Sequence, residues 1–303
     1  MIGSWLLYYL VIIPISRLPY PLLYAFSDFA CFVLYRIVGY RKAVVRGNLQ
    51  RSFPEKSEAE LLVIEKKFYS HFVDLVVESL KNFTISSDEC QRRMRSVNPE
   101  LLNRLYDEGR PVTIAGAHYN NWELWALGAA TPLKHPLKGI YKRLSNKFFD
   151  EKMRESRGRF GMQLVSTQEV KNHIDEIYKG PSAVVYASDQ SPGNPKSAYW
   201  MTFLNQDTAC FFGPERHAKM FNTAVVYGHQ SKIKRGFYEV EYKVIFEHPG
   251  ETEYGEITEK LGRLVEEKII EQPEYWLWTH KRWKHKRPET VKGETTTEQP
   301  AGE

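Results

Sequence analysis

The sequence contains little cysteine, and this scarcity excludes two common kinds of structural site. Only three of the 303 residues are cysteines, Cys31, Cys90 and Cys210, and they are far apart, with no C-x-x-C pair. A disulfide framework needs an even set of cysteines, and a thiolate zinc site needs closely spaced pairs. We therefore expect a protein of a reducing compartment without a cysteine-based metal centre.

The sequence also lacks the motifs of several large enzyme classes. It contains no G-x-S-x-G, no G-x-G-x-x-G, no Walker loop and no H-E-x-x-H. These motifs are the minimal parts of serine α/β-hydrolases, nucleotide-binding proteins and zinc proteases. Lys and Arg exceed Asp and Glu only modestly, 42 to 37, and no nucleic-acid-binding motif is present, so we expect no nucleic acid partner.

The N-terminal region has no unbroken hydrophobic run of about 20 residues, the length at which a helix crosses a bilayer. Residues 5–15 are apolar up to Arg17, and residues 18–35 are interrupted by two prolines and Asp28. Neither a basic N-terminus nor a small-residue cleavage site indicates a signal peptide. We predict that residues 1–38 form a membrane anchor, either one tilted span or a helical pair within one leaflet; buried core helices are the alternative.

The charges that follow the anchor predict its orientation. Arg36, Arg41, Lys42 and Arg46 come directly after the apolar residues. Basic residues beside an anchor stay on the cytoplasmic side, where anionic lipids attract them. We expect the rest of the chain on the cytoplasmic face of the inner membrane, in contact with anionic lipid.

The remaining chain has the composition of one large domain, because the sequence is 42% hydrophobic and 14% aromatic. We assign residues 39–287 to this domain and the polar residues 288–303 to a disordered tail. Predicted strands at 112–117, 139–142, 183–187 and 223–227 alternate with helices near 146–158, 167–179 and 213–221, and further helices are predicted at 58–83, 99–107 and 257–270. This alternation predicts an α/β fold with a mixed, largely parallel sheet flanked by helices. Residues 238–246 alternate in polarity, as in an antiparallel or edge strand.

The most informative motif is an H-x4-E spacing formed by His118 and Glu123, directly after the apolar residues 112–117. A general base that deprotonates an unactivated hydroxyl needs an imidazole of near-neutral pKa and a carboxylate that fixes its tautomer. Five residues on one helix place two side chains about 140° apart, so these two meet only if His118 precedes the helix. We predict that His118 lies on the turn after the strand and pairs with Glu123. In the alternative, Asn120 and Glu123 form a capping box and Glu123 only binds helix amides.

Two other predicted strand ends carry polar residues, at the edge where α/β sheets place their functional sites. One begins with Lys142 and extends to Arg159, and this segment holds seven basic residues against three acidic ones. The other contains Asp189 at a turn rich in proline and glycine. Guanidinium groups bind phosphate or carboxylate and can offset charge that grows on a carbonyl oxygen. A solvated helix face is the alternative, chiefly for the lysines of the basic segment.

In order and content these segments resemble the late lipid A acyltransferases, the lauroyl and myristoyl transferase family of lipopolysaccharide assembly, within the wider H-x4-D/E superfamily. The resemblance covers nearly the whole chain. Its segments are Arg46-Gly47-Asn48-Leu49 with Phe53-Pro54, the His118 to Glu123 motif, Tyr141-Lys142 with Asn146 and Asp150, Arg157-Gly158-Arg159, Asp189 to Gly193, Phe203-Leu204 with Thr208 and Gly213-Pro214, and Pro273 to Trp283. One segment alone is weak evidence, but an ordered set is specific.

The resemblance implies a glycerolipid-acyltransferase-like fold and a membrane-bound acyltransferase. Such an enzyme moves a fatty acyl chain from an acyl thioester, on acyl carrier protein or coenzyme A, to a hydroxyl of a lipid A precursor. By position, His118 is the general base, Glu123 its partner, and Arg157 the arginine of catalysis or of substrate charge. Substrate binding falls to Lys142, Arg143, Asn146, Arg159 and Asp189. The chain departs from the family pattern at two of these, since relatives often have arginine at 142 and proline at 143.

The chemistry of acyl transfer suits this set of residues. A thioester is already activated, so the reaction requires no metal, cofactor or covalent nucleophile. An acidic carrier protein and a phosphorylated lipid are both attracted to basic surfaces, and the aromatic and basic residues 276–287 are interpreted as a membrane-facing segment. Two alternatives remain: the same chemistry on a lysophospholipid, an amino lipid or a glycolipid, and a non-catalytic basic protein of the membrane surface.

Overall fold

The computed structural model of the protein describes residues 2–288, so the predicted disordered tail lies, beyond Pro288, outside the described residues. Seven strands form one sheet and two form a separate hairpin. The strands are β1 (Met94–Ser96), β2 (Val112–Gly116), β3 (Leu137–Tyr141), β4 (Gln163–Ser166), β5 (Ala183–Ala187), β6 (Tyr199–Phe203), β7 (Gln206–Cys210), β8 (Ala224–Lys234) and β9 (Phe237–Phe246).

The large sheet has the strand order β1-β9-β8-β2-β5-β3-β4. All neighbours run parallel except β8 and β9, which form an antiparallel pair. The predicted α/β fold with a mixed, largely parallel sheet is therefore confirmed. Strand β2 lies at the centre between β5 and β8, and its apolar run is buried on both faces, as in other parallel sheets.

Helices cover both faces of the sheet. They are α1 (Ile2–Leu7), α2 (Ile13–Arg17), α3 (Tyr20–Phe32), α4 (Lys42–Ser52), α5 (Glu58–Lys81), α6 (Ser87–Arg93), α7 (Pro99–Asp107), α8 (Trp122–Gly128), α9 (Lys147–Gly158), α10 (Thr167–Ile177), α11 (Gly213–Phe221) and α12 (Glu256–Glu271). Tyr8–Ile12 and Val33–Val38 are π-helical, and Pro195–Ser197, Pro249–Glu251 and Pro273–Tyr275 are 3₁₀ turns. The longest helix, α5, starts with a capping box between Ser57 and Glu60.

Two large hydrophobic clusters form the core. Successive residues of β2 belong to different clusters, Ile114 to one and Ala115 to the other, because strand side chains alternate between the faces of the sheet. The cluster around Ala115 includes residues of α4, α5 and α12, whereas the cluster around Ile114 includes residues of α6, α7 and α8. The sheet is thus held between two helical layers.

The N-terminal helices pack against α5. One helix, Tyr20–Val38, is long and apolar enough to cross a membrane by length and composition. One face of it is buried, with Leu23 against Val73 and Val77 of α5. The other face exposes large apolar side chains, including Phe29 and Phe32. The segment therefore has one face that packs against the domain and one apolar face that is exposed.

Candidate active site

The register of two parallel strands brings a histidine and an aspartate together. Gly116, the last residue of β2, pairs with Ala187, the last residue of β5. His118 and Asp189 each come two residues later, so both side chains lie at the carboxyl edge of the sheet. The His118 Nδ1–H donates a hydrogen bond of 2.7 Å to Asp189 Oδ1. In the neutral imidazole this bond leaves Nε2 as the proton acceptor.

The second oxygen of Asp189 is also bound. The indole Nε1–H of Trp276 donates to Asp189 Oδ2 at 2.7 Å. Trp276 is 2% exposed, and its backbone forms an isolated antiparallel bridge with Tyr119, next to the histidine. The buried carboxylate therefore has a fixed orientation toward the imidazole.

The charges of the pair shift both pKa values in opposite directions. Burial alone lowers the pKa of His118, but Asp189, and more weakly Glu123, reverse this effect and raise it above the ordinary value. Burial alone raises the pKa of Asp189, but His118 and the hydrogen bond from Trp276 lower it instead. Arg157 opposes the rise in the pKa of His118. The arrangement holds an imidazole that takes up a proton readily beside a carboxylate that stays ionised.

The predicted pairing of His118 with Glu123 is wrong. Glu123 instead forms a bidentate ion pair with Arg157 of α9, at 2.9 Å from Nε to Oε2 and 2.6 Å from Nη2 to Oε1. The indole of Trp122 donates to the same carboxylate at 3.2 Å and contacts the His118 ring edge-on. The local spacing could not reveal Asp189 as the partner, because that contact depends on the adjacency of β2 and β5.

The alternative role of Glu123 as part of a capping box with Asn120 is also wrong. The cap of α8 is Asn121, whose Oδ1 accepts from the backbone N–H of Leu124 at 2.9 Å. Asn120 has a left-handed backbone with a φ of 54°, a conformation that asparagine tolerates better than most residues. Its side-chain amide donates to the carbonyl of Gln230, which fixes the turn between β2 and α8.

Four of the five predicted substrate-binding residues fall into two groups, whereas the carboxylate of the fifth, Asp189, is bound by His118 and Trp276. Lys142 and Arg143 are exposed on the loop after β3, where Arg143 lies 3.6 Å from Glu169 and Lys142 contacts no acidic side chain among residues 2–288. Asn146 caps α9, and Arg159 donates to the carbonyls of Asn82 and Ile85. The side chains of the first group are exposed and accessible to a ligand, whereas those of the second make structural contacts. Substrate binding by either group stays a prediction.

The interpretation of residues 276–287 as membrane-facing is wrong for Trp276 and Trp278. Trp276 and Trp278 are buried, and Asn48 of α4 donates to the carbonyl of Trp278. The segment closes the carboxyl edge of the sheet and delivers the indole that binds Asp189. The sequence reasoning missed this role of Trp276, although the ordered resemblance already singled out the segment.

The fold and the site together define an α/β protein that holds a histidine, oriented by a buried carboxylate, at the carboxyl edge of its sheet. The family model described as bacterial lipid A biosynthesis acyltransferase matches residues 1–285, and the chain belongs to this family. It is accordingly an acyltransferase of lipid A and lipopolysaccharide biosynthesis.

Similar proteins with curated descriptions extend over most of the chain. The lipid A biosynthesis lauroyltransferase of Escherichia coli (strain K12) is 25% identical over 282 residues, 91% of this chain and 90% of the relative. The lipid A biosynthesis palmitoleoyltransferase of the same strain is 24% identical over 280 residues, 88% and 87% of the two chains. A lipid A biosynthesis acyltransferase of Haemophilus influenzae (strain ATCC 51907 / DSM 11121 / KW20 / Rd) is 23% identical over 271 residues, 88% and 86% of the two chains.

Proposed function

We propose that the protein transfers a fatty acyl chain from the thioester of an acyl carrier protein to a hydroxyl of a lipid A precursor, with His118 as general base. The observation that carries the proposal is the 2.7 Å hydrogen bond from His118 Nδ1 to Asp189. It fixes the tautomer in which Nε2 accepts a proton. The family of the chain and the names of its relatives support the acceptor.

In the proposed reaction the acceptor oxygen attacks the thioester carbonyl carbon while His118 Nε2 takes the hydroxyl proton. The tetrahedral intermediate then collapses, the C–S bond breaks, and the imidazolium returns the proton to the leaving thiolate. Asp189 stabilises the imidazolium between these steps without taking its proton. General-base catalysis of this kind contributes about 10²- to 10⁴-fold.

Arg157 is the proposed electrostatic partner of the negative charge in the reaction. It lies close enough to His118 to oppose the rise in its pKa, and its ion pair with Glu123 fixes the plane of the guanidinium. A fixed cation stabilises an oxyanion without reorganisation, and loss of one such donor costs about 10²- to 10³-fold. Glu123 thus acts through Arg157 rather than through the imidazole.

Exposed cations on the loop after β3 are the proposed contact for the charged parts of the substrates. Lys142 and Arg143 follow the strand end two positions away from β2 in the sheet. Their exposed charge suits an acidic carrier protein or the phosphate groups of the acceptor. Coenzyme A is the alternative donor. Comparing the rate of acyl transfer from the coenzyme A thioester with the rate from the carrier protein thioester decides between them.

The N-terminal segment is the proposed membrane attachment, lying in the plane of the cytoplasmic leaflet of the inner membrane. Large apolar side chains are exposed along it: Trp5, Leu10, Leu22, Phe29, Phe32 and Ile37. Elsewhere on α3, the buried Ser27 hydroxyl donates to Asp74 at 2.7 Å, and the exposed Asp28 pairs with Arg235 of the β8–β9 hairpin at 2.6 Å. A helix that crossed the bilayer would take these charges into lipid, which is costly, whereas an interfacial helix keeps them on the protein.

The attachment is tested by replacing Leu22 and Phe29 with Ser, which should release the protein from anionic vesicles. Met220, an equally exposed apolar residue of α11, provides the control, and Met220→Ser should leave binding unchanged. A cysteine introduced at Gly3 should resist an impermeant maleimide added from the periplasmic side. Labelling from that side would contradict the in-plane arrangement.

The reaction is tested with purified protein, one acyl carrier protein thioester, and a panel of acceptors that includes a lipid A precursor and a lysophospholipid. We expect transfer to the lipid A precursor, detected by the mass of the product, and a fall of about 10³-fold or more in His118→Ala. His173 is exposed on α10, so His173→Ala serves as the control and should retain full activity. Transfer only to the lysophospholipid would refute the proposed acceptor, and an active His118→Ala would refute the base.

A further inference from the structure

A buried carboxylate contacts the residue that caps helix α8, and it is outside the set of residues that the proposed reaction uses. Glu78 of α5 is 4% exposed and accepts three hydrogen bonds. The donors are the Tyr24 hydroxyl at 2.9 Å, the Tyr238 hydroxyl at 2.9 Å and the Asn121 side-chain amide at 2.6 Å. A charged or polar group at this depth is stable only when its hydrogen-bonding capacity is met, and these donors meet it.

The three donors come from three different parts of the fold. Tyr24 belongs to α3 in the N-terminal segment, Tyr238 to β9, and Asn121 is the cap of α8. Glu78 is therefore the point at which the proposed membrane attachment, the sheet and α8 meet. No other element brings a carboxylate into contact with Asn121 among residues 2–288.

Asn121 transmits the position of Glu78 to the site. Its amide nitrogen donates to Glu78, while its Oδ1 caps α8 through the N–H of Leu124. The next two residues are Trp122, which contacts the His118 ring, and Glu123, which fixes Arg157. A shift of the Asn121 side chain would therefore displace both the ring that packs on the base and the carboxylate that orients the guanidinium.

We propose that Glu78 is a positioning residue for acyl transfer, which holds the start of α8 in register with His118 through Asn121. The inference rests on the proposed function. Tyr24 of the N-terminal segment also binds Glu78, so the packing of this segment on α5 helps to fix the position of α8. Misplacement of a reacting group by about 1 Å can cost about 10²-fold in rate.

The same helix supplies a matched control. Glu65 of α5 is 1% exposed and also accepts from a tyrosine of the N-terminal region, Tyr35 at 2.9 Å. Its other partner is Arg46, and no contact joins it to α8 among residues 2–288. Glu65 and Glu78 therefore share helix, burial and a tyrosine partner, and they differ in their connection to the site.

The experiment compares Glu78→Gln with Glu65→Gln in full-length protein, with kcat and KM normalised to the folded fraction. The substituted amide offers one acceptor oxygen to the three donors, so we expect kcat to fall about 10- to 100-fold with KM changed less than about threefold. Glu65→Gln should keep the wild-type kcat at a comparable loss of melting temperature. A merely structural role for Glu78 predicts equal kcat per folded molecule in both variants, and that result would overturn the proposal.

A reversal of donor and acceptor provides the rescue. In Glu78→Gln/Asn121→Asp the new amide can donate to the new carboxylate, which still caps α8 with its other oxygen. We expect the double variant to recover most of the lost kcat, and failure to recover would count against the link through Asn121. Should Glu78→Gln not fold, Asn121→Ser keeps a cap but removes the bond to Glu78, and an unchanged kcat in that variant would overturn the proposal. An inactive wild type would instead refute the proposed function itself.

Discussion

The site contains two ion pairs, each formed by a carboxylate and a basic side chain. They differ in the elements that supply the side chains and in the number of hydrogen bonds. His118 and Asp189 come from the ends of two paired strands and form a single hydrogen bond of 2.7 Å. Glu123 and Arg157 come from the facing helices α8 and α9 and form two parallel bonds. The first pair leaves a ring nitrogen free for chemistry, whereas the second uses its carboxylate to hold a cation.

The difference shows that a carboxylate at the right spacing from a histidine need not be its partner. Glu123 is five residues from His118 and still turns toward α9, because a bidentate guanidinium is a better match for a carboxylate than one imidazole N–H. Asp189 is 71 residues away and forms the imidazole contact. We expect the two carboxylates to respond differently to the same amide substitution.

The largest expected effect follows from Asp189→Asn. The amide permits the wrong tautomer of His118 and no longer stabilises the imidazolium, and in a serine protease triad the equivalent change costs about 10⁴-fold in kcat. We expect a fall of about 10²- to 10⁴-fold in kcat here. Because Asp189 raises the pKa of His118, its loss lowers that pKa and moves the acid limb of the pH–rate profile to lower pH.

The measurement is the pH dependence of kcat/KM, which reports on the free enzyme, for the wild type and Asp189→Asn. The base is active when deprotonated, so activity in the wild type should rise with pH through a value above that of an ordinary histidine. An acid limb that stays in place in Asp189→Asn would show that another group controls it.

A smaller effect, with a distinctive sign, is expected at the second pair. Glu123 raises the pKa of His118 and Arg157 lowers it. Glu123→Gln should therefore move the acid limb to lower pH and Arg157→Gln to higher pH, while each lowers kcat about 10- to 10³-fold. The two substitutions act on one unit, so the double variant should lose much less than the product of the single effects.

A double-mutant cycle over both pairs sharpens the comparison. Coupling between Glu123 and Arg157 should exceed coupling between Glu123 and Asp189, because only the former two share hydrogen bonds. Equal coupling in all combinations would mean that the four side chains form one network rather than two pairs. If Glu123→Gln and Arg157→Gln shifted the acid limb in the same direction, this would contradict the opposite effects assigned to their charges on the pKa of His118.

The sequence was sufficient for the fold class but not for the pairing within the site. The alternation of apolar runs and helices predicted a largely parallel sheet, and the strand at 183–187 is observed with the same bounds. The hairpin of β6 and β7 was missed, since its turn is Leu204-Asn205 in left-handed conformations rather than the usual Asn-Gly. The partner of His118 was missed because strand adjacency in a parallel sheet is not encoded by local spacing.

The predictions for the site rest on local sequence patterns, which indicate only the contacts between residues that are near each other in the chain. The turn that carries His118 was predicted because a strand and a helix flank it directly. Asp189 and Trp276 reach the same place from 71 and 158 residues away in the chain. The resemblance to a family identified all three segments without revealing which of them touch.

The smallest expected effect distinguishes two buried tryptophans whose indole N–H groups have different acceptors. Trp276 donates to Asp189, whereas Trp278 donates to the carbonyl of Pro273 at 2.6 Å. Both changes to Phe remove a buried N–H and part of a ring, so both should destabilise the fold by about 1–3 kcal/mol. Only Trp276→Phe should also lower kcat, by about 3- to 10-fold, since it leaves one oxygen of the catalytic carboxylate without a donor.

The pH dependence of unfolding separates these two variants further. The hydrogen bond from Trp276 helps to lower the pKa of Asp189, so its stabilisation is complete above the ordinary aspartate pKa and is lost as pH falls toward the lowered value. Trp276→Phe should therefore lose less stability than the wild type as pH falls below the ordinary aspartate pKa, and its loss should be complete at a higher pH. Trp278→Phe should keep the wild-type profile with a uniform offset. Parallel profiles for both variants would mean that Trp276 serves the packing of the C-terminal segment and not the carboxylate.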